Sequence, residues 1–147
     1  MPEIIAEIAN AHQGNADTAI KLAKAAKKCG ANSVKFQIYF ADDFLSRKHS
    51  RYTHFKNQSF SKNQWIKIIK DTKKLKIKIY CDILGIKAFN FIKKLDVDGY
   101  KIHTSDVSNL KLIKEVSKER KKIFLSCGGV KLTEINNAIK SIDLKNN

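Results

Sequence analysis

Five short apolar runs punctuate the chain: IIAEIA from Ile4, SVKFQI from Ser33, IKIYCDI from Ile77, GYKIHT from Gly99 and KIFLSC from Lys122. Each is rich in β-branched or aromatic side chains and reads as a strand. Between them the apolar positions recur with helical period. Ala88, Phe91, Ile92 and Leu95 repeat at i, i+3, i+4 and i+7, which predicts one buried stripe. Leu110, Ile113 and Val116 predict a shorter one, and Leu132, Ile135, Ala138, Ile139 and Ile142 another. Trp65, Ile66 and Ile69 anchor a helix that Ser61 can open, with Gln64 three residues later completing a capping box. Gly30 falls just past the first helical segment, where a left-handed residue commonly ends a helix.

Strands separated by helices imply right-handed crossovers and a parallel sheet. The fold class is therefore α/β, with five βα units and no break in composition that would mark a linker. Five units fall three short of a closed (β/α)8 barrel, whose usual size is about 250 residues. An open doubly wound sheet is the other arrangement, but AHQGN after the first strand holds one glycine and no dinucleotide fingerprint. The span from Tyr39 to about Phe60 breaks the alternation. It has no clear period and carries Asp42, Asp43, Arg47, His49, Arg51, Tyr52 and His54, longer and more polar than an ordinary βα connection. Such a span is either a lid over a site or a loose insertion.

At 147 residues and 43% hydrophobic content the chain suffices for one domain with a real core. No apolar run is long enough to cross a bilayer, and MPEIIAEIANAH lacks the basic flank and long apolar segment of a signal peptide, so a cytoplasmic location is expected. Cys29, Cys81 and Cys127 are odd in number and widely spaced, which fits neither a disulfide framework nor a paired zinc motif; they read as small buried hydrophobes. The formal charge of +15 invites a basic binding module for nucleic acid. Its distribution argues for solvated helix faces instead: Lys21, Lys24 and Lys28 share one side of a helix, Lys67, Lys70 and Lys74 another, and Arg47, Arg51 and Arg120 are the three arginines.

Lys35 and Lys101 are different, because each interrupts a run that otherwise reads as a buried strand. In βα architectures ligands sit beyond the carboxyl ends of the strands, where loops and helix N-termini converge. All five ends are polar. They offer Glu7, Asn10 and His12, then Lys35 and Gln37, then Cys81 and Asp82, then Lys101, His103, Thr104, Ser105 and Asp106, and finally Ser126, Cys127, Gly128 and Gly129. Lysines with directed hydroxyl and amide donors suit a phosphorylated or carboxylated small molecule, and Glu7 and Asp106 are available for proton transfer. The plainer alternatives are snorkelling lysines, an ion pair of Glu7 with Lys35, and histidines hydrogen-bonded in loops or core.

AEIANAHQG, GANSVKFQ, DGYKIHTSDVSNL and IFLSCGG follow one another in the order and spacing of the sialic acid synthase family, which the chain resembles along essentially its whole length. That family includes the N-acetylneuraminate, legionaminic acid and pseudaminic acid synthases. The resemblance implies a partial TIM (β/α)8 barrel and a transferase that condenses phosphoenolpyruvate with an N-acetylated hexose such as N-acetylmannosamine, using a divalent metal, Mn or Mg, and releasing phosphate. It implies that Glu7 is a catalytic acid or base and that Lys35 and Gln37 bind phosphoenolpyruvate. Lys101, Thr104 and Ser126 would hold the phosphate, and Asp106 would contact the sugar. Another phosphoenolpyruvate-dependent aldol synthase is the neighbouring enzymatic reading.

Several positions depart from the family's pattern. Asp106 stands where glutamate is familiar, Thr104 where serine is typical, Cys127 where LSTG has threonine, CDILG where many members have STPF, and Ala11 where asparagine is common. The family's metal-binding histidines lie on later strands, so no ligand is expected within these 147 residues. Three further βα units and a small antifreeze-like domain are likewise expected outside them. The partners implied are a homodimer in the full-length protein or a second chain completing the barrel.

Overall fold

In the computed structural model, which describes residues 2–142, Val34, Phe36 and Ile38 of the second strand are fully buried while Lys35 and Gln37 between them are partly exposed. That alternation gives the sheet one face for the helices and one for chemistry. Strands β1 (Ile5–Ala9), β2 (Ser33–Ile38), β3 (Lys78–Ile83), β4 (Gly99–Ile102) and β5 (Lys122–Leu125) are all parallel and lie in sequential order. The helices are α1 (Ala16–Lys28), α2 (Ala41–Phe44), α3 (Tyr52–Gln58), α4 (Lys62–Lys73), α5 (Ile86–Ile92), α6 (Leu110–Ser117) and α7 (Leu132–Ser141). A doubly wound sheet reverses its strand order at a switch point. Here the order never reverses and the helix-facing side chains gather in one core, so the five βα units form an arc of a (β/α)8 barrel.

The core is built from the strand residues of one parity and the helix stripes above them. Val34, Phe36, Ile38, Ile79, Cys81, Ile83, Tyr100 and Ile102 meet Ala19 and Ala23 of α1, Trp65, Ile68 and Ile69 of α4, and Ala88, Phe89 and Ile92 of α5. The caps follow the sequence. Asn15 accepts from the Thr18 N–H, Ser61 and Gln64 form the reciprocal box, and Gly30 adopts φ +87° after α1. Gly99 is required by packing: a Cβ there would lie 2.4 Å from the Lys122 carbonyl oxygen and 3.1 Å from Tyr80 Cδ1. Gly99→Ala is expected to wedge β4 from β5 and cost about 1–3 kcal/mol, read as a lower urea midpoint at unchanged slope.

Some expected core positions lie elsewhere. Ile66 and Leu110 are exposed while Ile68 and Leu112 take the buried places, each displaced two residues along its helix. On α7 Leu132 and Ile139 are exposed at 72% and 43%, and Ala138 alone is buried, because among the described residues this helix packs chiefly on α6. Cys81 is buried as expected, but Cys29 and Cys127 are exposed, one at a helix C-cap and the other in a strand-end turn.

The polar span after β2 is folded. Tyr39, Phe44 and Phe55 pack edge-on or tilted with centroids 5.3–5.9 Å apart. Asp42 ties α2 to α3, accepting from Lys56 Nζ and Tyr52 Oη at 2.6 Å each and from Arg47 Nε at 3.1 Å. The Lys56 ammonium first, then the Tyr52 hydroxyl, hold the Asp42 carboxyl far below its ordinary 3.8. A lowered carboxyl stabilises the fold above its ordinary value and stops doing so as pH falls through the folded value. Amide protection factors in α3 are therefore expected to fall selectively as pH drops below about 4, while those of β2–β4 hold. Equal losses in both regions would assign the network no role.

Candidate anion site on the concave face

The strand register fixes which side chains share the face opposite the helices. One row reads Glu7, Lys35, Tyr80, Gly99, Lys122 across β1 to β5, and the next reads Gln37, Asp82, Lys101, Phe124 across β2 to β5. With strands about 4.8 Å apart and about 3.3 Å of rise per residue, the Lys35 and Lys101 Cα atoms lie about 12 Å apart. Two extended lysines at that separation can reach one small anion between them.

At the amino end of this face the strands close over themselves. Glu3 accepts from Tyr80 Oη at 2.9 Å and pairs with Lys122 at 2.6 Å. Tyr80 and Phe124 pack edge to face at 5.0 Å, with the Lys122 ammonium over both rings. Burial first, then the bond to Glu3, push the Tyr80 phenol up to about 12, so it stays a hydrogen-bond donor. The open chemistry is left at the carboxyl end.

Both anomalous lysines are ion-paired on this face. Lys35 Nζ lies 2.8 Å from Glu7 Oε2, the ion pair that the sequence left open, with the Glu7 side chain 45% exposed. Lys101 Nζ lies 2.7 Å from Asp82 Oδ2, with the Asp82 side chain 5% exposed. Asp82 Oδ1 is buried and has no hydrogen-bond partner among the described residues. Burial raises the Asp82 carboxyl above its ordinary range, and the Lys101 hydrogen bond opposes that shift without cancelling it. Sequence reasoning placed Asp82 at a strand end but gave it no role. The signal was an acid inside KIYCDI; what was missing was the cross-strand register that sets it beside Lys101.

The remaining predicted residues divide into two groups. Thr104 and Ser126 come together, sharing a hydrogen bond of 2.8 Å, and the Ser126 N–H donates to the Ile102 carbonyl just beyond β5. Gln37 sits beside Asp82 in register. Asp106 is engaged in local structure: Oδ2 accepts from the Gly85 N–H at 3.0 Å and Oδ1 from Asn109 Nδ2 at 3.2 Å, joining the loops after β3 and β4. His12 is buried, accepting from the Gly14 N–H through Nδ1, and His103 Nδ1 contacts Ser105 Oγ at 3.0 Å. Burial drives the Cys81 thiol far up, which removes it as a nucleophile. Among the described residues no group of three or more His, Cys, Asp or Glu side chains converges to hold a metal, so the donor set does not fit one. Nor is any helix among them long and apolar enough to cross a membrane.

Known proteins resemble this chain in sequence and fold. An uncharacterized protein of Methanocaldococcus jannaschii is 34% identical over 140 residues, covering 95% of this chain and 42% of its own length. The N-acetylneuraminate-9-phosphate synthase of Drosophila melanogaster is 27% identical over 140 residues, covering 85% of this chain and 37% of its own. The chain thus spans less than half the length of these relatives. The crystal structure of N-acetylneuraminic acid synthetase from Leptospira borgpetersenii superposes with a TM-score of 0.89 at 24% identity, covering 97% of this chain and 50% of that one. At that identity the likeness speaks to the fold. The sequence pattern of the NeuB family itself matches residues 22–147, and the chain belongs to that family.

Proposed function

We propose that this chain contributes the phosphoenolpyruvate-binding part of a sialic-type acid synthase, which joins phosphoenolpyruvate to an N-acetylated hexose such as N-acetylmannosamine. The observation that carries the reading is the pair of carboxylate-bound lysines, Lys35 and Lys101, on the concave face of a NeuB-family barrel arc. In the reaction, C3 of phosphoenolpyruvate bonds to the sugar aldehyde carbon, whose oxygen gains a proton. Water adds at C2 and the C2–O bond to phosphate breaks, releasing inorganic phosphate. Lys35 and Lys101 would neutralise the carboxylate and phosphate, and the Thr104–Ser126 hydroxyl pair would direct donors at the phosphate oxygens. Gln37 would shape the pocket floor and Glu7, at the more exposed end of its ion pair, would carry a proton. Asp106 would face the sugar after exchanging one of its loop contacts. The divalent metal of such synthases would polarise the aldehyde; it has no donor set among the described residues, and no step above runs through it.

Equilibrium titration with phosphoenolpyruvate, followed by amide chemical shifts, tests the reading. Shifts are expected at Lys35, Gln37, Lys101, Thr104 and Ser126, and Lys35→Ala is expected to weaken binding about 10-fold or more. Shifts confined to the outer helices, together with salt-steep binding of unrelated DNA that Lys35→Ala leaves unchanged, would replace it with a polyanion-binding role.

A further inference from the structure

The concave site is formally neutral before any ligand arrives, because Lys35 and Lys101 are matched by Glu7 and Asp82. An anion that takes both ammonium groups for itself must therefore break both pairs. The two carboxylates differ in how they can respond. Glu7 is 45% exposed, so its longer side chain can turn into water and be solvated there. Asp82 is 5% exposed on the short side chain of an interior strand, with Cys81 and Ile83 on either side in the core, and has nowhere to go. Among the described residues one of its oxygens is buried without a partner, and the Lys101 ammonium is the sole partner of the other. Once that ammonium turns to a ligand, a bare buried carboxylate would remain, and such a group neutralises itself by taking a proton.

We propose that Asp82 is a positioning residue that couples anion binding to proton uptake: one proton enters at Asp82 when the ligand's phosphate or carboxylate takes the Lys101 ammonium. The inference rests on the proposed anion site and adds a proton to it. Charge balances, since the ammonium stays protonated, Asp82 passes from carboxylate to carboxylic acid, and the proton comes from solvent. In this form the Asp82 hydroxyl remains a hydrogen-bond donor beneath the ligand. The groups facing Asp82 are Lys101 of β4, His103 just beyond that strand, and Glu7 of β1, the last bound to Lys35 of β2. Glu7 repels the carboxylate while Lys101 and His103 favour it, and burial exceeds both.

Calorimetric titration with phosphoenolpyruvate in two buffers of different ionisation enthalpy counts the protons. Above about pH 7.2 a phosphate monoester is nearly fully ionised, since its second pKa is about 6. Between there and about pH 8.5 the wild-type chain is expected to take up close to one proton per ligand and to lose about 10-fold in affinity per pH unit. Asp82→Asn keeps the shape, His103 and Glu7 but removes the charge; it is expected to bind more tightly at about pH 8 with the slope and the proton uptake abolished. Equal slopes and equal proton counts in the two proteins would overturn the proposal while leaving the anion site standing. Absence of binding in both would overturn the anion site as well. Should Asp82→Asn fail to fold, the wild-type count decides alone, and a value near zero refutes the coupling.

Discussion

Lys101→Met is expected to lower stability by about 2–4 kcal/mol at neutral pH and to weaken phosphoenolpyruvate binding about 10- to 100-fold. Both effects have one origin. Removing the ammonium leaves Asp82 buried with neither oxygen satisfied among the described residues, and removes the lysine nearest Thr104 along the chain. The stability loss falls short of the largest values for broken buried pairs because the carboxyl can protonate. Its pH dependence follows in sign. A carboxyl raised above its ordinary 3.8 in the folded state stabilises most below that value, and this contribution is lost as pH rises through the folded value. The Lys101→Met defect should accordingly shrink on acidification. Adding Asp82→Asn should recover a large share of the stability but none of the binding. A Lys101→Met protein as stable as wild type at neutral pH would mean that the pair carries no structural weight.

Trp65→Ala is expected to cost about 3–5 kcal/mol, a large fraction of the ~5–15 kcal/mol typical of a domain. Trp65 is 2% exposed and meets Phe36 of β2 edge-on at 6.0 Å and Phe60 at 5.0 Å. Phe60 in turn lies 4.3 Å from the His12 ring, so this one side chain braces α4, β2, the end of the folded span and the loop after β1. Thermal or urea unfolding measures the loss, and amide exchange should show the Asn10–Asn15 loop opening earlier than β3 and β4. A loss below about 1 kcal/mol would place the core's centre elsewhere.

The strands and most helix boundaries were legible because they depend on local chemistry: period, caps and breakers. The Ser61–Gln64 box and the φ +87° residue at Gly30 stand where the sequence puts them. Lys35 and Lys101 were legible as anomalies for the same reason, since a charge in an apolar strand needs a partner. The identity of the second partner was not legible. Asp82 is 19 residues from Lys101, and only the β3–β4 register brings them together. Helices α2 and α3 were hidden because four and seven residues are too few to display a period. Their stability comes from Asp42 and three aromatic rings that sequence spacing does not connect. The exposed Leu132 and Ile139 show the opposite error, a clear apolar stripe whose face the described residues leave in solvent.

A crystal structure of the chain with phosphoenolpyruvate tests the central claim most directly. Ligand density is predicted on the concave face, with oxygens within hydrogen-bond distance of Lys35 Nζ, Lys101 Nζ and the Thr104 and Ser126 hydroxyls, and with both lysines released from their present carboxylates. The competing location is a groove of about 330 Å³ on the helical side, where Lys62, Lys87 and Lys94 surround Phe40 and Phe91. Ligand there, with the Lys35–Glu7 and Lys101–Asp82 pairs intact, would contradict the account.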